Sequence, residues 1–561
     1  MKTFYTLLFS MAIGSIFAQG EQLIPPHSWG LAEGQLPVVS VYELETLDHE
    51  LLLAEDTRIE EIQGRTNNGR LLFEQVDPST VGVWTEFDDG SKLWQFKYRT
   101  AGAIATSVYF NNYHIPVGGQ LHLWSEDKSY FVGPYDHTEN NEHGRHALSE
   151  VFGDIAVLEY YQPAGVVGEL ALETRGFAHF YRYIEDLRDE WSRGSDDCEV
   201  DVNCPEGHGW EGPRDGAVRL RIVDGEFLGL CSGSMVNTTA LDCRRYCLTA
   251  YHCTVGVSDD DLLLLQVRFN YDRSGCGSGA APGSHQRTGV FDLSNSNDGG
   301  GNSGSDYHLI EVEDELLSSW PIFYAGWDAG GSGASFGKSI HHPSGDSKKI
   351  SQFGSALISD NWGFASNTHW RVIWQQTVSG HGVTEGGSSG SPIYGPSKRI
   401  LGTLTGGSSC CQGFEDPNNG CIGQNSPDWY GKMSYHWDGN SNPSGGDLKE
   451  WLDPINSGAT TVFGAYKEDC SIEWVGVEEI EFSDLGVYPN PATSEVTYDL
   501  SNNFDLQLVS IYNSQGQLVK QVSTTQNFGQ IQVQSFAEGL YFLTFTTKSG
   551  QQTTRQFTVV R

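Results

Sequence analysis

The sequence predicts a mainly β protein of several domains, on three observations. Short strand-like runs outnumber helical ones along most of the chain. Glycine is abundant, 67 of 561 residues, as expected where many strands are joined by tight loops. All 11 cysteines lie between Cys198 and Cys470, which divides the chain into a cysteine-free start, a cysteine-bearing middle and a cysteine-free end. An apolar content of 38% is enough for real cores, and the length leaves room for about three or four domains. With 72 acidic against 34 basic residues the net charge is −38. That argues against nucleic acid as a partner, because binding phosphates needs a basic face.

The chain opens with a short basic start at Met1-Lys2-Thr3, a short apolar run over residues 7–17, and Ala18 before a polar segment. This predicts a secretory signal peptide over residues 1–18. The apolar run is too short to cross a bilayer and no later stretch approaches spanning length, so no membrane span is expected. Export to an oxidising compartment makes the cysteines disulfide candidates before metal ligands. Their odd number leaves at least one free or paired between molecules.

Residues 19–193 form an acidic block with alternating strand-like runs at 92–98, 105–110 and 120–124, and they hold no catalytic constellation. A polar junction at Arg193-Gly194, just before the first cysteine, reads as a processing site. Residues 194–465 carry strand-like runs at 217–223, 263–269 and 308–312, with one helix candidate, residues 447–452, stopped before Pro454. That pattern fits a sandwich or barrel. An acidic linker, 466–485, leads to a compact β module over 486–561, with runs at 487–491, 506–512, 539–545 and 555–560.

The chemistry centres on residues 384–392, Thr-Glu-Gly-Gly-Ser-Ser-Gly-Ser-Pro, between strand-like runs 370–374 and 399–404. Small residues let the backbone turn tightly, present a serine hydroxyl and aim neighbouring N–H groups at one spot, as an oxyanion hole requires. Taken alone, this is equally a Gly/Ser surface loop. A nucleophilic serine also needs a base, and a carboxylate to orient that base. Residues 231–236, Cys-Ser-Gly-Ser-Met-Val, and 248–253, Leu-Thr-Ala-Tyr-His-Cys, read as neighbouring strands stapled by Cys231–Cys253, with His252 at a strand end. A structural histidine competes with this reading. So does a zinc set of Cys243, Cys247, His252 and Cys253, which the oxidising compartment disfavours. Asp306 opens the run at 306–312 and is the candidate carboxylate; Asp272, Asp292 and Asp298 are alternatives. The order His252, Asp306, Ser389 is that of the chymotrypsin-type triad.

Gly387-Ser-Ser-Gly-Ser-Pro392 resembles that superfamily's Gly-Asp-Ser-Gly-Gly-Pro. The match implies a chymotrypsin-like double β-barrel with the triad in the cleft between barrels. Ser389 is then the nucleophile, the amides of Gly387 and Ser389 form the oxyanion hole, and Ser388 and Ser391 are bystanders.

More closely, the segment 194–456 resembles the bacterial lysyl endopeptidases. The matching stretches, in order, are 198–207, 231–237, 248–253, Gly326-Trp-Asp328, 340–346, 382–392, 401–407 and 451–454. The resemblance implies His252, Asp306 and Ser389 as the triad. It also implies disulfides joining Cys198 to Cys411 (or Cys410), Cys204 to Cys276 and Cys231 to Cys253. The family's lysine-binding aspartate maps to Asp428, in Asp428-Trp-Tyr-Gly-Lys432; a buried carboxylate is costly until a cation pairs with it, which makes it a selector. The substrate-binding strand maps to Thr405-Gly406-Gly407. The chain departs from the family at Thr405, where the best-known members carry a histidine; the tryptophan that stacks on that histidine maps to Trp362. The loop 410–421 is longer and carries an added Cys pair, and Cys243, Cys247 and Cys470 have no family counterparts.

Residues 19–193 resemble, more loosely, the family's propeptide, which implies a segment that aids folding, blocks the active site and is cut away. Residues 486–561 resemble the type A sorting domain of the type IX secretion system, through Tyr488-Pro-Asn-Pro491, Ile511-Tyr-Asn, Gly539-Leu-Tyr541 and the basic last residue Arg561. That implies a β-sandwich, export through the periplasm by the type IX machinery, and release or cell-surface attachment; a carbohydrate-binding sandwich is the competing reading. The sequence thus predicts a serine endopeptidase acting on proteins and peptides after basic residues, Lys preferred and Arg the second candidate, with no cofactor. A calcium ion near loop 292–306 has no support beyond that loop's composition. The alternatives are a catalytically silent binding protein on a protease fold and a serine endopeptidase of acidic specificity.

Overall fold

A computed structural model describes residues 24–182, 194–279, 281, 285–411, 422–470, 485–500, 506–513, 517–524, 526–547 and 552–561. The expected signal peptide, Arg193, Cys421 and most of the expected linker lie outside them. The chain divides into two compact units, Met1–Ser471 and Ile472–Arg561.

The first unit carries, before its main strands, a helix that the sequence reading did not anticipate, α1 (His49–Gln63). Asp48 caps it by accepting from the amides of Glu50 and Leu51, and Gly64, with φ +70°, ends it in the left-handed region that glycine favours. Its leucines stand side by side at 51–53 instead of recurring every three or four residues, so no helical period marks it.

Strand β1 (Thr66–Leu72) follows, then β2 (Lys92–Arg99), β3 (Ala105–His114), β4 (Gln120–Ser125), β5 (Ile155–Gln162) and β6 (Ala171–Phe180). The expected strands at 92–98, 105–110 and 120–124 fall within β2, β3 and β4. Strand β5 pairs antiparallel with both β2 and β4. A core including Trp94, Phe96, Tyr98, Phe110 and Leu158 fills this lobe.

The cysteine-bearing part builds two sheets. The first uses β7 (Ala217–Asp224), β8 (Phe227–Met235), β9 (Tyr246–Thr249), β10 (Gln266–Arg268), β11 (Gln286–Thr288), β12 (Val290–Asn295) and β13 (His308–Val312). The expected strand at 263–269 shortens to β10, because Leu262 closes the short helix Asp259–Leu262, capped by the Ser258 side chain. The second sheet uses β14 (Gly337–His341), β15 (Lys349–Phe353), β16 (Ile358–Trp362), β17 (Ala365–Val372), β18 (Pro392–Tyr394), β19 (Ile400–Gly407) and β20 (Asp428–Lys432). It runs in the order β15-β14-β18-β19-β20-β17-β16. Val218, Leu220, Met235 and Ile310 lie in the core of the first sheet, and Phe353, Trp370, Ile393 and Tyr430 in that of the second. A third cluster, with Leu248, Tyr307, Trp327 and Met433, joins residues of both sheets. Helix α2 (Met433–Asp438) packs there, with α3 (Leu448–Leu452), the expected helix, starting just after Asp447.

The cysteine-free lobe and the first sheet are continuous. β1 pairs antiparallel with β8, in the register Leu230↔Thr66, Gly229↔Asn67 and Phe227↔Arg70, and on its other edge with β6. Leu71, Ala178 and Phe180 share a core with Val223, Leu228 and Leu264. The expected linker begins later than residue 466: Ala465-Tyr466 pairs with Phe323-Tyr324, and a Cys243–Cys470 disulfide fixes the segment beyond it.

The second unit is a β-sandwich. β21 (Leu485–Tyr488), β22 (Glu495–Leu500) and β25 (Phe528–Gln532) form one sheet, and β23 (Leu506–Asn513), β24 (Leu518–Ser523), β26 (Gly539–Thr547) and β27 (Gln552–Val559) the other. Val496, Val509, Ile531, Leu543 and Phe557 are buried between them.

Candidate active site

His252 stands one turn beyond the end of β9. Strand β8 pairs with β9 through Ser234↔Leu248, and the Cys231–Cys253 disulfide ties the turn back to β8. Asp306 lies two residues before β13, is fully buried, and has φ +62°, a left-handed conformation that aspartate tolerates better than most residues. Its carboxylate accepts twice from His252: from the backbone N–H at 2.8 Å and from the ring, Nδ1 to Oδ2, at 2.7 Å. The two bonds fix both the position and the tilt of the imidazole.

Of the alternative carboxylates, Asp298 supports Asp306, accepting from the amides of Asp306 (2.8 Å) and Gly301 (2.9 Å). Burial and the neighbouring Asp306 raise its pKa. Asp292 pairs with His308 at 2.9 Å, and Asp272 accepts from Asn203. Neither reaches His252 within hydrogen-bond distance among the described residues.

Ser389 is locked to the same framework. Its carbonyl accepts from Ser232 N–H at 2.8 Å, and Gly387 carbonyl accepts from Ser232 Oγ at 2.9 Å. Gly387 adopts φ +90° against the segment 342–345, where a Cβ would crowd Gly345 N and His342 O at 3.1 Å. Among the described residues, neither the Gly387 nor the Ser389 amide donates a hydrogen bond. Ser388 and Ser391 face inward, Ser388 onto His341 Nδ1 at 2.8 Å and Ser391 towards Ser339 at 3.5 Å. No hydrogen bond joins Ser389 Oγ to His252 among the described contacts. Such bonds are often long in unliganded proteases, and here Gly64 lies against the imidazole, where a Cβ would stand 3.2 Å from Cδ2.

Asp428 begins β20 and is fully buried. Oδ2 accepts from Trp374 Nε1 (2.6 Å), Thr384 Oγ1 (2.7 Å) and Ser409 Oγ (2.6 Å), and Oδ1 from Ser409 N–H (3.1 Å). These four donors lower its pKa less than burial raises it. Among the described residues no Lys or Arg pairs with it. Gly407, opposite it in β19, has no room for a side chain: a Cβ would collide with Oδ1.

Thr405 and Trp362 also come together, around a residue the sequence reading passed over. His369 of β17 bonds Thr405 Oγ1 through Nε2 at 2.9 Å, and its ring lies 5.9 Å from that of Trp362. An imidazole thus stands beside Thr405, supplied from β17, two strands along the sheet, and burial lowers its pKa to about 4. The only hint in the sequence was a histidine just before a strand-like run.

The structure joins Cys198 to Cys411, Cys204 to Cys276 and Cys231 to Cys253. Cys410 is also disulfide-bonded. Cys247 is free and buried, its thiol pushed up to about 12 by burial. With Cys243 and Cys253 both in disulfides, neither can offer zinc a thiolate. Arg193 lies outside the described residues; Gly194 packs on Asp346, which accepts from Ser195 Oγ at 2.5 Å.

Comparison with known proteins bears on the family of one segment. Residues 193–431 match the family described as lysyl endopeptidase, C-terminal domain. Residues 193–431 are a lysyl endopeptidase-like serine protease domain. Residues 486–560 match the secretion system C-terminal sorting domain. That domain marks the chain for export by the type IX system to the cell surface or the extracellular space.

A lysyl endopeptidase of Pseudomonas aeruginosa is 26% identical over 362 residues, which is 60% of this chain and 73% of that protein. The β-agarase A of Zobellia galactanivorans is 31% identical over 110 residues, 19% of each chain. Among solved structures, the active form of the Rv3671c protease of M. tuberculosis aligns with a TM-score of 0.26 at 13% identity, over 42% of this chain and 82% of its own. The HtrA-type protease AlgWS227A with tripeptide aligns with a TM-score of 0.27 at 12% identity, over 40% and 59%. The protease-domain enzyme is a serine endopeptidase, and the described residues contain no helix long and apolar enough to cross a membrane.

Proposed function

We propose that this endopeptidase cleaves after lysine, and also after arginine, through an ester on Ser389. The observation that carries the specificity is Asp428, a fully buried carboxylate met by four hydrogen-bond donors and, among the described residues, by no cation. Burying a carboxylate without an opposite charge is expensive, and an entering ammonium or guanidinium relieves that cost where an apolar or acidic side chain does not.

In the reaction, Ser389 Oγ attacks the carbonyl carbon while its proton passes to His252 Nε2. Asp306, accepting from Nδ1–H, holds the tautomer that leaves Nε2 free to take it. The amides of Gly387 and Ser389 donate to the oxyanion. Collapse breaks the C–N bond, returns the proton from His252 to the leaving amine and leaves the acyl group on Ser389. Water then repeats the sequence and frees the acid.

The cysteine-free lobe is the propeptide of this enzyme. Its Gly64 covers the His252 ring, so the uncut chain is latent, and cutting at Arg193-Gly194 begins its release. Ser389→Ala should lower amidase activity by at least about 10³-fold and abolish labelling by a serine-directed phosphonate. Retained activity or labelling points instead to another nucleophile. Asp428→Asn should cost Lys substrates roughly 100-fold in kcat/KM, as expected for removing one partner of a buried ion pair. An unchanged preference removes Asp428 as the selector.

A further inference from the structure

The propeptide does more than cover the imidazole, because it threads one side of the cleft as a strand. From Gly64, the chain passes His252 and enters β1, where Thr66 pairs with Leu230 of β8, one residue before Cys231. Thr66 Oγ1 lies against Gly386, next to the proposed oxyanion amides. Before Gly64 the chain is helical, and the Gly64 amide donates to Glu60 O at 2.8 Å. An extended segment therefore lies on the side where the leaving half of a substrate would lie. On the acyl side, a helix end takes the place of an extended substrate.

Arg65 is the first residue of that extended side. Its side chain is wholly buried. Nη2 pairs with Asp224 Oδ2 at 2.7 Å, and Nη1 donates to the carbonyl of Cys253 at 3.0 Å. Its stem crosses Gly229, where a Cβ would stand 2.5 Å from Arg65 Cδ. All three partners belong to the protease domain and remain when the propeptide leaves. A carboxylate, a carbonyl and a missing side chain together fit a long cation; an acidic residue would face like charge there, and a small one would leave the pocket unfilled.

We propose that this pocket is the enzyme's subsite for the residue immediately after the scissile bond, and that it takes a basic side chain, arginine above all. The inference rests on Ser389 and His252 as the reacting pair. It adds a second cation site to the one at Asp428, so that the preferred cleavage point lies between two basic residues. Arg65 is then a built-in occupant that mimics a substrate on the leaving side only.

The test uses enzyme recovered from the processed full chain and two peptides that differ only after the cut, Lys-Arg against Lys-Ala, with the product cut directly after lysine quantified by mass spectrometry so that any cut after arginine is counted apart. The ratio of their kcat/KM values does not depend on how much enzyme is active. Wild type should favour Lys-Arg roughly tenfold, the scale of a hydrogen-bonded charge pair. Asp224→Asn should bring the ratio to within about twofold of one. A wild-type ratio near one, or a ratio that survives Asp224→Asn, overturns the inference. Should the variant yield no active enzyme, the wild-type ratio decides: a fall of at least about half on added salt supports a charge pair, and no change rejects it. If neither peptide is cut after lysine, the lysine reading fails separately, and the Arg/Ala ratio is read after whichever residue is accepted there.

Discussion

At the scale of single residues, burial and pairing do most of the positioning. Asp306 stays in the left-handed region because the Asp298 carboxylate and the His252 amide hold it from both sides. The sequence offered both aspartates without ranking them by contact, since two acids in one loop look alike until the loop is folded. Thr405 reads in the sequence as a lost imidazole, and the structure places His369 beside it. The ring also contacts Thr368 Oγ1 at 2.7 Å, so it joins two buried hydroxyls. His369→Phe keeps an aromatic ring near Trp362 but leaves both hydroxyls without that partner. The expected cost is about 1–3 kcal/mol, seen as a Tm several degrees lower by calorimetry; an unchanged Tm would mean that the hydroxyls find other partners.

At the scale of elements, the strands were legible because alternation marks a half-buried strand, and β2, β3 and β4 fall where alternation placed them. Helix α1 was not legible, since its apolar residues carry no helical period. The contacts between lobes were not legible either, because they join residues far apart in sequence. Glu150 is the clearest case. It is buried in the cysteine-free lobe and meets Arg219 (3.3 Å), Arg221 (2.9 Å) and Arg268 (2.8 Å) of the first protease sheet. Despite its burial, those three guanidinium groups hold its carboxyl well below the usual carboxylate range. Glu150→Ala leaves three crowded cations without that anion and should cost about 3–5 kcal/mol. The expected result is a sharply reduced yield or Tm of the uncut chain, with Glu150→Asp milder; wild-type stability in Glu150→Ala would remove the cluster from the account.

The seat of α1 is acid-sensitive by the same kind of reasoning. His179 of β6 touches His49, the first residue of α1, at 2.8 Å, and accepts or donates to Thr100. Burial first, then His49, lowers the His179 pKa from 6.5 to about 4, with Asp154 opposing. Between pH 6.5 and 4 the detached state binds more protons than the docked one, so docking weakens as pH falls through that window. Hydrogen exchange in α1 should therefore quicken relative to the global rate from pH 7 to pH 5, and His179→Gln should remove the difference. Slower opening at pH 5 would reverse the sign and contradict this.

For the whole molecule, the cysteine boundaries and the Gly/Ser turn drew the expected protease domain, and the motifs after residue 486 the expected sorting domain. What they hid is that the cysteine-free lobe and the first sheet of the cysteine-bearing part form one continuous sheet through β1 and β8. Lengths and compositions divide a chain at linkers; they do not report a strand crossing from one part to another. The central claim is that a cation-selecting pocket at Asp428 feeds a Ser389 nucleophile. The most direct measurement is the cleavage profile of enzyme recovered from the processed full chain on a peptide library of mixed sequence. The account predicts lysine, with some arginine, immediately before nearly every cut; cuts that follow acidic or apolar residues as readily would contradict it.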